Sequence, residues 1–521
     1  MKKTIWKGAG LLAFATFFAK IIGALYRIPL TNILGAEGMG VYQLIFPIYS
    51  LLLSTSSGAL PIAVSMLVSS RLARGEREEA LKIVKNAMSA LLITGIILTF
   101  ILVVLSGTLG KLQGSTETRL GYLGIAPAIF FVSGIAVFRG WFQGNGILAP
   151  SAFSQISEAI VKLGVGLTLA AILMRYGIAW AVFGAMTGVT LSEIVTFVML
   201  YIMYRQKNPR LNLSLDFKNS RQNYKEITRL TIPMTLGNII LPIVQMIDSF
   251  LVVNILSRAV PGPSAVASYG LLTGPVNSLI NLPVVIGLSL GVAVIPQITK
   301  NKEERDISAI KQKSDTAFKL SLVIGAPFAF TYFALSEGII KLLYPAFTAA
   351  QIAETSMLLR ISCFSVIAMS AQQIYTSILQ GLGSIYKPVK NMAIGAGIKI
   401  ILNIALMPVI GIAGVAAASV ACFTATAVLN IIQVRSLIGK SANLLKNSGV
   451  ILLSGVIMGA AIFAIGYFTT GWALPFVTAV VGAALYLAML LAFRVFSRDE
   501  LAGLPLGGKL VAITDKIFTR G

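Results

Sequence analysis

Two cations, Lys20 and Arg27, lie inside the apolar stretch FFAKIIGALYRIP near the start of the chain. They are seven residues apart, close to two helical turns, so both side chains project from nearly the same face about 10 Å apart along the axis. Ionisable groups are costly at membrane depth and usually face a cavity or a partner. Paired cations there can bind an anionic head group without cleaving it. We predict this role for both residues, although Arg27 is near enough to the helix end to extend towards the membrane surface instead.

Three other ionisable residues in the first half of the chain are candidates for a substrate cavity or for ion coupling. Glu158 and Lys162 are four residues apart on one predicted helix and can neutralise each other. Glu193 lies in the next predicted helix, where it serves either a structural pair or a transport pathway. Arg139 lies near a predicted helix end, and we expect its side chain to extend towards the membrane surface.

Lys399 is the counterpart of Lys162 in a second half of the chain, 237 residues later. Its helix carries Gly395 one turn earlier, where the first half has an acid. The ammonium group of Lys399 therefore needs a partner from another helix, from water or from a substrate. Asp248, in a different apolar segment, is the candidate.

The elements that hold these residues are predicted to be membrane-spanning helices. Of the 521 residues, 56% are hydrophobic and 12% are charged, and the mean hydropathy is +0.85. Fourteen apolar segments of bilayer-spanning length follow one another between residues 8 and 494. The sequence predicts an all-α polytopic membrane protein with about 14 transmembrane helices.

The distribution of basic residues predicts the orientation of the chain. Lys and Arg total 42 against 19 Asp and Glu. Most of them fall on the connections of one side, whereas the other side carries Lys111, Arg119, Arg175, Arg258 and Lys341. This asymmetry is typical of a membrane protein with both termini in the cytoplasm. Membrane lipids therefore account for the basic excess, and nucleic acid is not an expected partner.

Three short motifs recur in the same order, which indicates a duplication. LSGTLGKL at 105–112 recurs as LSEGIIKL at 335–342, QGNG at 143–146 as QGLG at 380–383, and YGIAWA at 176–181 as IGIAGV at 410–415. An even number of helices per copy gives two parallel-repeat six-helix lobes. We predict an N-lobe at 1–204, a cytoplasmic linker at 205–227, a C-lobe at 228–436, and two further helices with a cytoplasmic tail at 437–521.

Glycine and proline interrupt the second predicted helix of each lobe, at 56–64 and at 282–296. Such interruptions permit bending, and their pairing across a repeat favours moving elements beside a cavity. Close helix packing at small residues is the alternative explanation.

Several kinds of chemistry have no support in the sequence. The chain has no histidine, its two cysteines show no metal-ligand spacing, and no phosphate-binding GxxxxGK[ST] loop is present. Acids in the predicted cytoplasmic loops alternate with Lys and Arg, as on solvated helix faces. We predict a protein that is not an enzyme and has no catalytic residues, no metal ligands and no cofactor.

Longer stretches resemble a known family. KGAGLLAFATFFAKIIGALYRIPLTNILGAEGMGVYQL at the start, LPIAVSMLVSSRLARGE and FRGWFQGNGILAPSAFSQISEAIVKL are similar to the polysaccharide-transport branch of the multidrug/oligosaccharidyl-lipid/polysaccharide (MOP) exporter superfamily. The resemblance extends across all fourteen segments and is strongest to the stage V sporulation protein B and MurJ-type lipid II flippase families. It implies a V-shaped two-lobe fold in the bacterial cytoplasmic membrane that moves a lipid-linked sugar outwards by alternating access.

The resemblance also implies roles for individual residues. Lys20 and Arg27 match the two cations of the first helix that bind the diphosphate, with one residue more between them. The two last helices would form a groove for the polyprenyl tail. The MurJ pattern has an arginine on the second helix where this chain has Ser54, Ser56 and Ser57, and this departure weakens the assignment of lipid II specifically.

The resemblance leaves the coupling ion open between a proton and sodium. Some MurJ-like proteins hold sodium between an acid, an amide and a hydroxyl group, and the matching residues here are Asp248, Asn403 and Ser419. Lys399 lies one turn before Asn403 and would place an ammonium group where the cation binds. We predict a Lys399–Asp248 pair, or proton coupling, in preference to a sodium site.

The sequence thus predicts a flippase for a polyprenyl-diphosphate-linked oligosaccharide, either lipid II or a related anionic glycan of the cell envelope. A multidrug/cation antiporter of the same superfamily is the alternative, but a cationic first helix would repel organic cations. Proteins of cell-wall synthesis are compatible partners, because a scaffold role does not conflict with transport.

Overall fold

The chain folds into helices throughout the part that the structure describes. The computed structural model describes residues 2–207, 221–259, 264–439, 444–468, 474–493 and 495–496, and these ranges contain no strand. Twelve helical stretches in them are long and apolar enough to cross a membrane, and a shorter apolar helix lies at Val477–Ala492. The first stretch, Gly10–Ala73, covers two predicted segments. The predicted all-α polytopic fold with about fourteen membrane-spanning helices is confirmed.

The helices of the first half are, in order, α1 (Lys2–Ser57), α2 (Leu60–Ala73), α3 (Arg77–Leu112), α4 (Thr118–Gly144), α5 (Ala149–Leu173) and α6 (Ile178–Lys207). Those of the second half are α7 (Arg221–Asn238), α8 (Ile240–Ala259), α9 (Ala265–Leu271), α10 (Asn277–Glu303), α11 (Ile307–Leu343), α12 (Ala349–Ser362), α13 (Phe364–Gly381), α14 (Tyr386–Ile410) and α15 (Ile412–Ile438). Two more follow, α16 (Leu444–Phe468) and α17 (Leu474–Ala492).

Irregular backbone accompanies glycine and proline at several places. α1 bends at Gly35, whose φ of 66° takes it out of the helical region. The predicted interruption at 56–64 appears as the break between α1 and α2. Its counterpart at 282–296 lies within the continuous α10, and a π-helical segment containing Pro275 precedes that helix. The two halves therefore differ in where the backbone departs from α-helical geometry.

Turns at matching positions support the duplication independently of the sequence motifs. Three pairs of turn residues have left-handed φ values and lie 230, 237 and 234 residues apart: Gly75 and Arg305, Gly146 and Gly383, Gly177 and Gly411. The hydrogen bonds also match, because Gly146 N and Gly383 N each donate to the carbonyl oxygen three residues earlier, at 2.9 Å. The same helix-ending turn thus closes corresponding helices in both halves.

The chain divides into two compact units. Unit 1 comprises Met1–Leu282, Tyr344–Glu354 and Ala396–Ala418. One of its hydrophobic cores is built around α1, α4 and α6, and its largest buried side chains include Tyr26, Tyr42 and Tyr122. A second core joins α2, α3 and α4 around Phe138 and Trp141.

Unit 2 comprises Pro283–Leu343, Thr355–Gly395 and Ser419–Gly521. Its core joins side chains of α11, α13, α16 and α17, with Phe318 and Tyr375 in ring contact at 5.1 Å between centroids. The lobe boundaries drawn from the repeat stay a prediction. Residues 208–220 of the predicted linker and 497–521 of the predicted tail lie outside the described residues.

Candidate functional site

A charged cavity lies within unit 1, between α1, α4 and α5. Its volume is about 280 Å³. α1 contributes Thr16, Ala19, Lys20, Gly23 and Tyr26, α5 contributes Gln155, Glu158, Ala159 and Lys162, and α4 contributes Arg139. Lys20, Glu158 and Lys162, each predicted as a site residue, therefore line one cavity.

Helical spacing explains how α1 and α5 face this cavity. The lining residues of each helix recur at intervals of three or four, which places them on one face. Small residues on these faces leave space, and a Cβ atom added at Gly23 would meet nothing within 4 Å. One turn after Lys162, α5 approaches α6 closely at Gly166 and Gly188, where a Cβ on Gly188 would lie 2.3 Å from the Cα of Gly166.

Arg139 and Glu158 form an ion pair at the cavity wall. The Nη2 atom of Arg139 donates to Oε2 of Glu158 at 2.9 Å, and its Nε donates to the hydroxyl oxygen of Ser154 at 2.9 Å. The side chains of Arg139 and Glu158 are 19% and 31% exposed. Two expectations are corrected here. Glu158 pairs across helices with Arg139 and not with Lys162. Arg139 lines the cavity and does not extend towards the membrane surface, because Glu158 and Ser154 accept hydrogen bonds from it there.

Two further cations, Lys162 and Arg27, lie close to aromatic rings. The ammonium nitrogen of Lys162 lies 5.6 Å from the ring centroid of Tyr26 and 5.5 Å from that of Phe46. The guanidinium carbon of Arg27 lies 5.9 Å from the Phe46 centroid. Such contacts stabilise a cation without neutralising it. Arg27 is not among the residues that line the cavity, so of the two predicted α1 cations only Lys20 borders it.

Glu193 on α6 is the most enclosed acid near this cavity, with 6% of its surface exposed. It is close enough to Glu158, Arg139 and Lys162 for electrostatic interaction. No ion pair or hydrogen bond of its carboxylate occurs among the described residues. It therefore belongs to the charged surroundings of the cavity without lining it.

A second charged cluster in unit 1 joins α8 and α14. Asp248 forms an ion pair with Lys399 and accepts a hydrogen bond from Nδ2 of Asn403 at 2.9 Å. The side chains of Lys399 and Asp248 are 13% and 8% exposed. The predicted Lys399–Asp248 pair is present in this geometry. The side-chain amide oxygen of Asn403, Oδ1, is buried and has no hydrogen-bond partner in the described part of the chain.

Ser419, the remaining predicted coupling residue, lies on α15 and belongs to unit 2. Within the described ranges, no three His, Cys, Asp or Glu side chains are grouped as ligands for a metal ion.

Four lining residues are not among the predicted site residues: Arg139, Thr16, Tyr26 and Gln155. Thr16 and Tyr26 can be predicted from the sequence, because they continue the helical spacing of Lys20 along α1. Gln155 likewise precedes Glu158 by one turn of α5. For Arg139 no such signal exists, because its orientation depends on the rotation of α4 against α5.

Comparison with known proteins places the chain among membrane transport and polysaccharide proteins. The family model described as "Polysaccharide biosynthesis protein" matches residues 5–302, and the model MatE matches residues 233–405. Stage V sporulation protein B of Bacillus subtilis (strain 168) is 25% identical, over 98% of this chain and 99% of that protein. The lipid II flippase MurJ of the same organism is 24% identical, over 94% and 95%.

Solved structures show the same fold. A structure described as "Lipid II flippase MurJ, inward closed conformation" matches with a TM-score of 0.74 at 18% identity, covering 93% of this chain and 98% of that one. An inward-facing multidrug resistance MATE family transporter of the MOP superfamily matches with a TM-score of 0.69 at 18% identity, covering 82% and 96%. The helical fold is therefore the MurJ- and MATE-like fold.

Proposed function

The chain belongs to the polysaccharide biosynthesis protein family, and on this premise we propose that it is a flippase for a polyprenyl-diphosphate-linked oligosaccharide. The substrate class comprises lipid II and related cell-envelope glycans, and the reaction is movement across the bacterial cytoplasmic membrane by alternating access. The similarity to stage V sporulation protein B and to the lipid II flippase MurJ supports this proposal.

The charge of the α1–α4–α5 cavity is the observation that carries the proposal. Three cations, Lys20, Arg139 and Lys162, line it together with one carboxylate, Glu158. Two positive charges are therefore in excess within helices of membrane-spanning length. A lipid diphosphate carries about two negative charges, and charge-assisted hydrogen bonds from Lys and Arg offset its loss of water.

A multidrug or cation antiporter is the second candidate, and the MatE match at residues 233–405 favours it. A site for organic cations needs carboxylates that are free to attract them. In the cavity, the carboxylate of Glu158 is paired with Arg139, and cations outnumber acids. The charge of the cavity therefore supports transport of an anion over transport of a cation.

We further propose that transport does not require sodium. The ammonium group of Lys399 is paired with Asp248, the acid that a sodium site would need. A tethered ammonium has the charge of a sodium ion and competes for the same carboxylate oxygens. Proton-coupled or uncoupled transport fits this arrangement.

Translocation in proteoliposomes tests the function. Purified protein is reconstituted with a labelled polyprenyl-diphosphate oligosaccharide, and the label that reaches the opposite leaflet is measured in sodium and again in potassium. We expect transport by the unmodified chain in both salts. Lys20→Ala should slow it at least about tenfold, because one charge-assisted contact to the head group is lost.

Two variants control for charge and for folding. Lys20→Arg retains the cation and should keep most of the activity, and Lys111→Ala removes an exposed cation that does not line the cavity. Failure of the well-folded, unmodified chain to move several lipid-linked glycans would overturn the proposed function. Strict dependence on sodium would overturn the proposal on coupling alone.

A further inference from the structure

Arg139, the arginine that lines the cavity, forms an ion pair with a carboxylate of the protein itself. Glu158 neutralises Arg139 at 2.9 Å, whereas Lys20 and Lys162 have no ion pair among the described residues. An anionic substrate that uses all the cations of this cavity must therefore compete with Glu158 for Arg139.

Glu158 also has a second cation within reach. Lys162 follows it by four residues on α5, which is the spacing at which a carboxylate and an ammonium group on one helix face meet. In the structure this pair is not formed, because Glu158 faces α4 and the ammonium of Lys162 lies over the rings of Tyr26 and Phe46. The cluster therefore offers Glu158 two alternative partners, one on α4 and one on its own helix.

We propose that Glu158 is a specificity-determining residue that exchanges Arg139 for Lys162 when a diphosphate enters the cavity. The inference rests on the proposed flippase function and goes beyond it by naming a residue that selects the head group. Without substrate, Glu158 holds Arg139. With substrate, Arg139 and Lys20 contact the diphosphate, and Glu158 turns to Lys162, so no charge in the cavity is left without a partner.

This exchange discriminates between anionic lipids by the number of phosphate groups in the head group. A head group with a single phosphate displaces Glu158 from Arg139 poorly, because the carboxylate is tethered beside the arginine and therefore has a high effective concentration. A diphosphate presents two phosphate groups, so Lys20 and Arg139, which lie on different helices, can each contact one of them through charge-assisted hydrogen bonds. Glu158 thus acts against the wrong ligand, as repulsive elements do in other specific sites.

Binding to the full-length protein in detergent micelles tests the inference. The probes are a polyprenyl diphosphate, the polyprenyl monophosphate of equal chain length, and inorganic pyrophosphate as the soluble source of the same chemistry. We expect the unmodified protein to prefer the diphosphate lipid to the monophosphate lipid by at least about tenfold. Glu158→Gln should raise the affinity for the monophosphate lipid about tenfold and reduce the preference to less than about threefold.

Two further variants test whether the effect is specific to Glu158 and whether Lys162 contributes to binding. Glu117→Gln removes an exposed acid at the start of α4 and should leave the preference unchanged. Lys162→Met removes the second partner and should weaken diphosphate binding while Lys20 and Arg139 remain. If Glu158→Gln does not fold, Glu158→Asp replaces it. Its shorter side chain holds Arg139 less well and should give an intermediate preference.

The outcomes distinguish this inference from the function on which it rests. If folded Glu158→Gln binds the diphosphate lipid and keeps an unchanged preference for it over the monophosphate lipid, the exchange is overturned and the proposed flippase function is not. Absence of diphosphate binding in the unmodified chain contradicts both. Binding of inorganic pyrophosphate as tightly as the lipid would assign the cavity to a soluble diphosphate and contradict a lipid head-group site.

Discussion

At the scale of single residues, Asp248 and Lys399 depend on each other. Both side chains are largely enclosed, at 8% and 13% exposed, and Asn403 supports the carboxylate with a hydrogen bond. Loss of one partner leaves the other as an uncompensated charge, which costs far more than loss of the whole pair.

Lys399→Met is therefore expected to lower the free energy of unfolding by about 3 kcal/mol or more, because Asp248 remains charged in an enclosed site. Adding Asp248→Asn to the same chain should recover most of that loss. Denaturant unfolding of the purified protein in micelles, followed by the helical signal in far-UV circular dichroism, measures the free energy of unfolding of both variants.

Lys341→Met is the matched control, because Lys341 pairs with Glu337 where the side chains are 59% and 54% exposed. Its cost should stay below about 1 kcal/mol. A Lys399→Met variant as stable as this control would show that the buried pair contributes little to stability.

The two ion pairs also show what sequence can predict about single residues. Lys399 lacks an acid one turn before it, so its ammonium group needs a partner from another helix, from water or from a substrate, and Asp248 is the candidate in the sequence. Glu158 has cations at similar reach along its own helix and across to α4. Spacing alone suggested Lys162, whereas the structure has Arg139 in that place, because the choice depends on how α4 is rotated.

At the scale of elements, the sequence of a helix or a turn predicts more of its own structure than it does for single side chains. Lys20 and its neighbours at intervals of three and four define one face of α1, and the same spacing defines the facing side of α5. The duplication likewise places equivalent turns at equivalent positions. Sequence could not predict that α1 breaks at its interruption while α10 continues, because packing decides whether glycine and proline bend a helix.

The turn that precedes α11 offers a test of the duplication at this scale. Arg305 has a left-handed φ of 56°, and Gly75 has a φ of 78° at the equivalent turn before α3. The left-handed region is strained for residues with a Cβ atom and free for glycine. Arg305→Gly should therefore stabilise the protein by about 0.5–1 kcal/mol, and Gly75→Arg should destabilise it by about 1 kcal/mol.

Denaturant unfolding measures these changes. Lys302→Gly is the control, because that residue lies in the last helical turn of α10 and its ammonium group donates to the carbonyl oxygen of Leu382, so glycine there should destabilise the protein. Effects of the same sign for Arg305→Gly and Lys302→Gly would contradict a shared left-handed turn.

At the scale of the whole molecule, hydropathy was sufficient to predict the class of fold. Each of the fourteen apolar segments corresponds to a helical stretch, since a bilayer demands long apolar helices whatever their order. The compact units were not predictable in this way. Ala396–Ala418 belongs to unit 1 although it lies in the second half of the chain, because units are defined by packing between distant segments.

If the α1–α4–α5 cavity holds the head group of the transported lipid, the bound lipid should protect a single cysteine placed in that cavity. Gly23 lines the cavity with free space at its Cβ position, and both native cysteines are buried. The measurement is the rate at which a hydrophilic maleimide modifies Gly23→Cys, with Ser70→Cys at an exposed position of α2 as control. A saturating polyprenyl-diphosphate oligosaccharide should slow modification at residue 23 at least about tenfold and leave residue 70 unaffected. An unchanged rate at residue 23, in protein that still translocates the same lipid, would show that the head group binds outside this cavity.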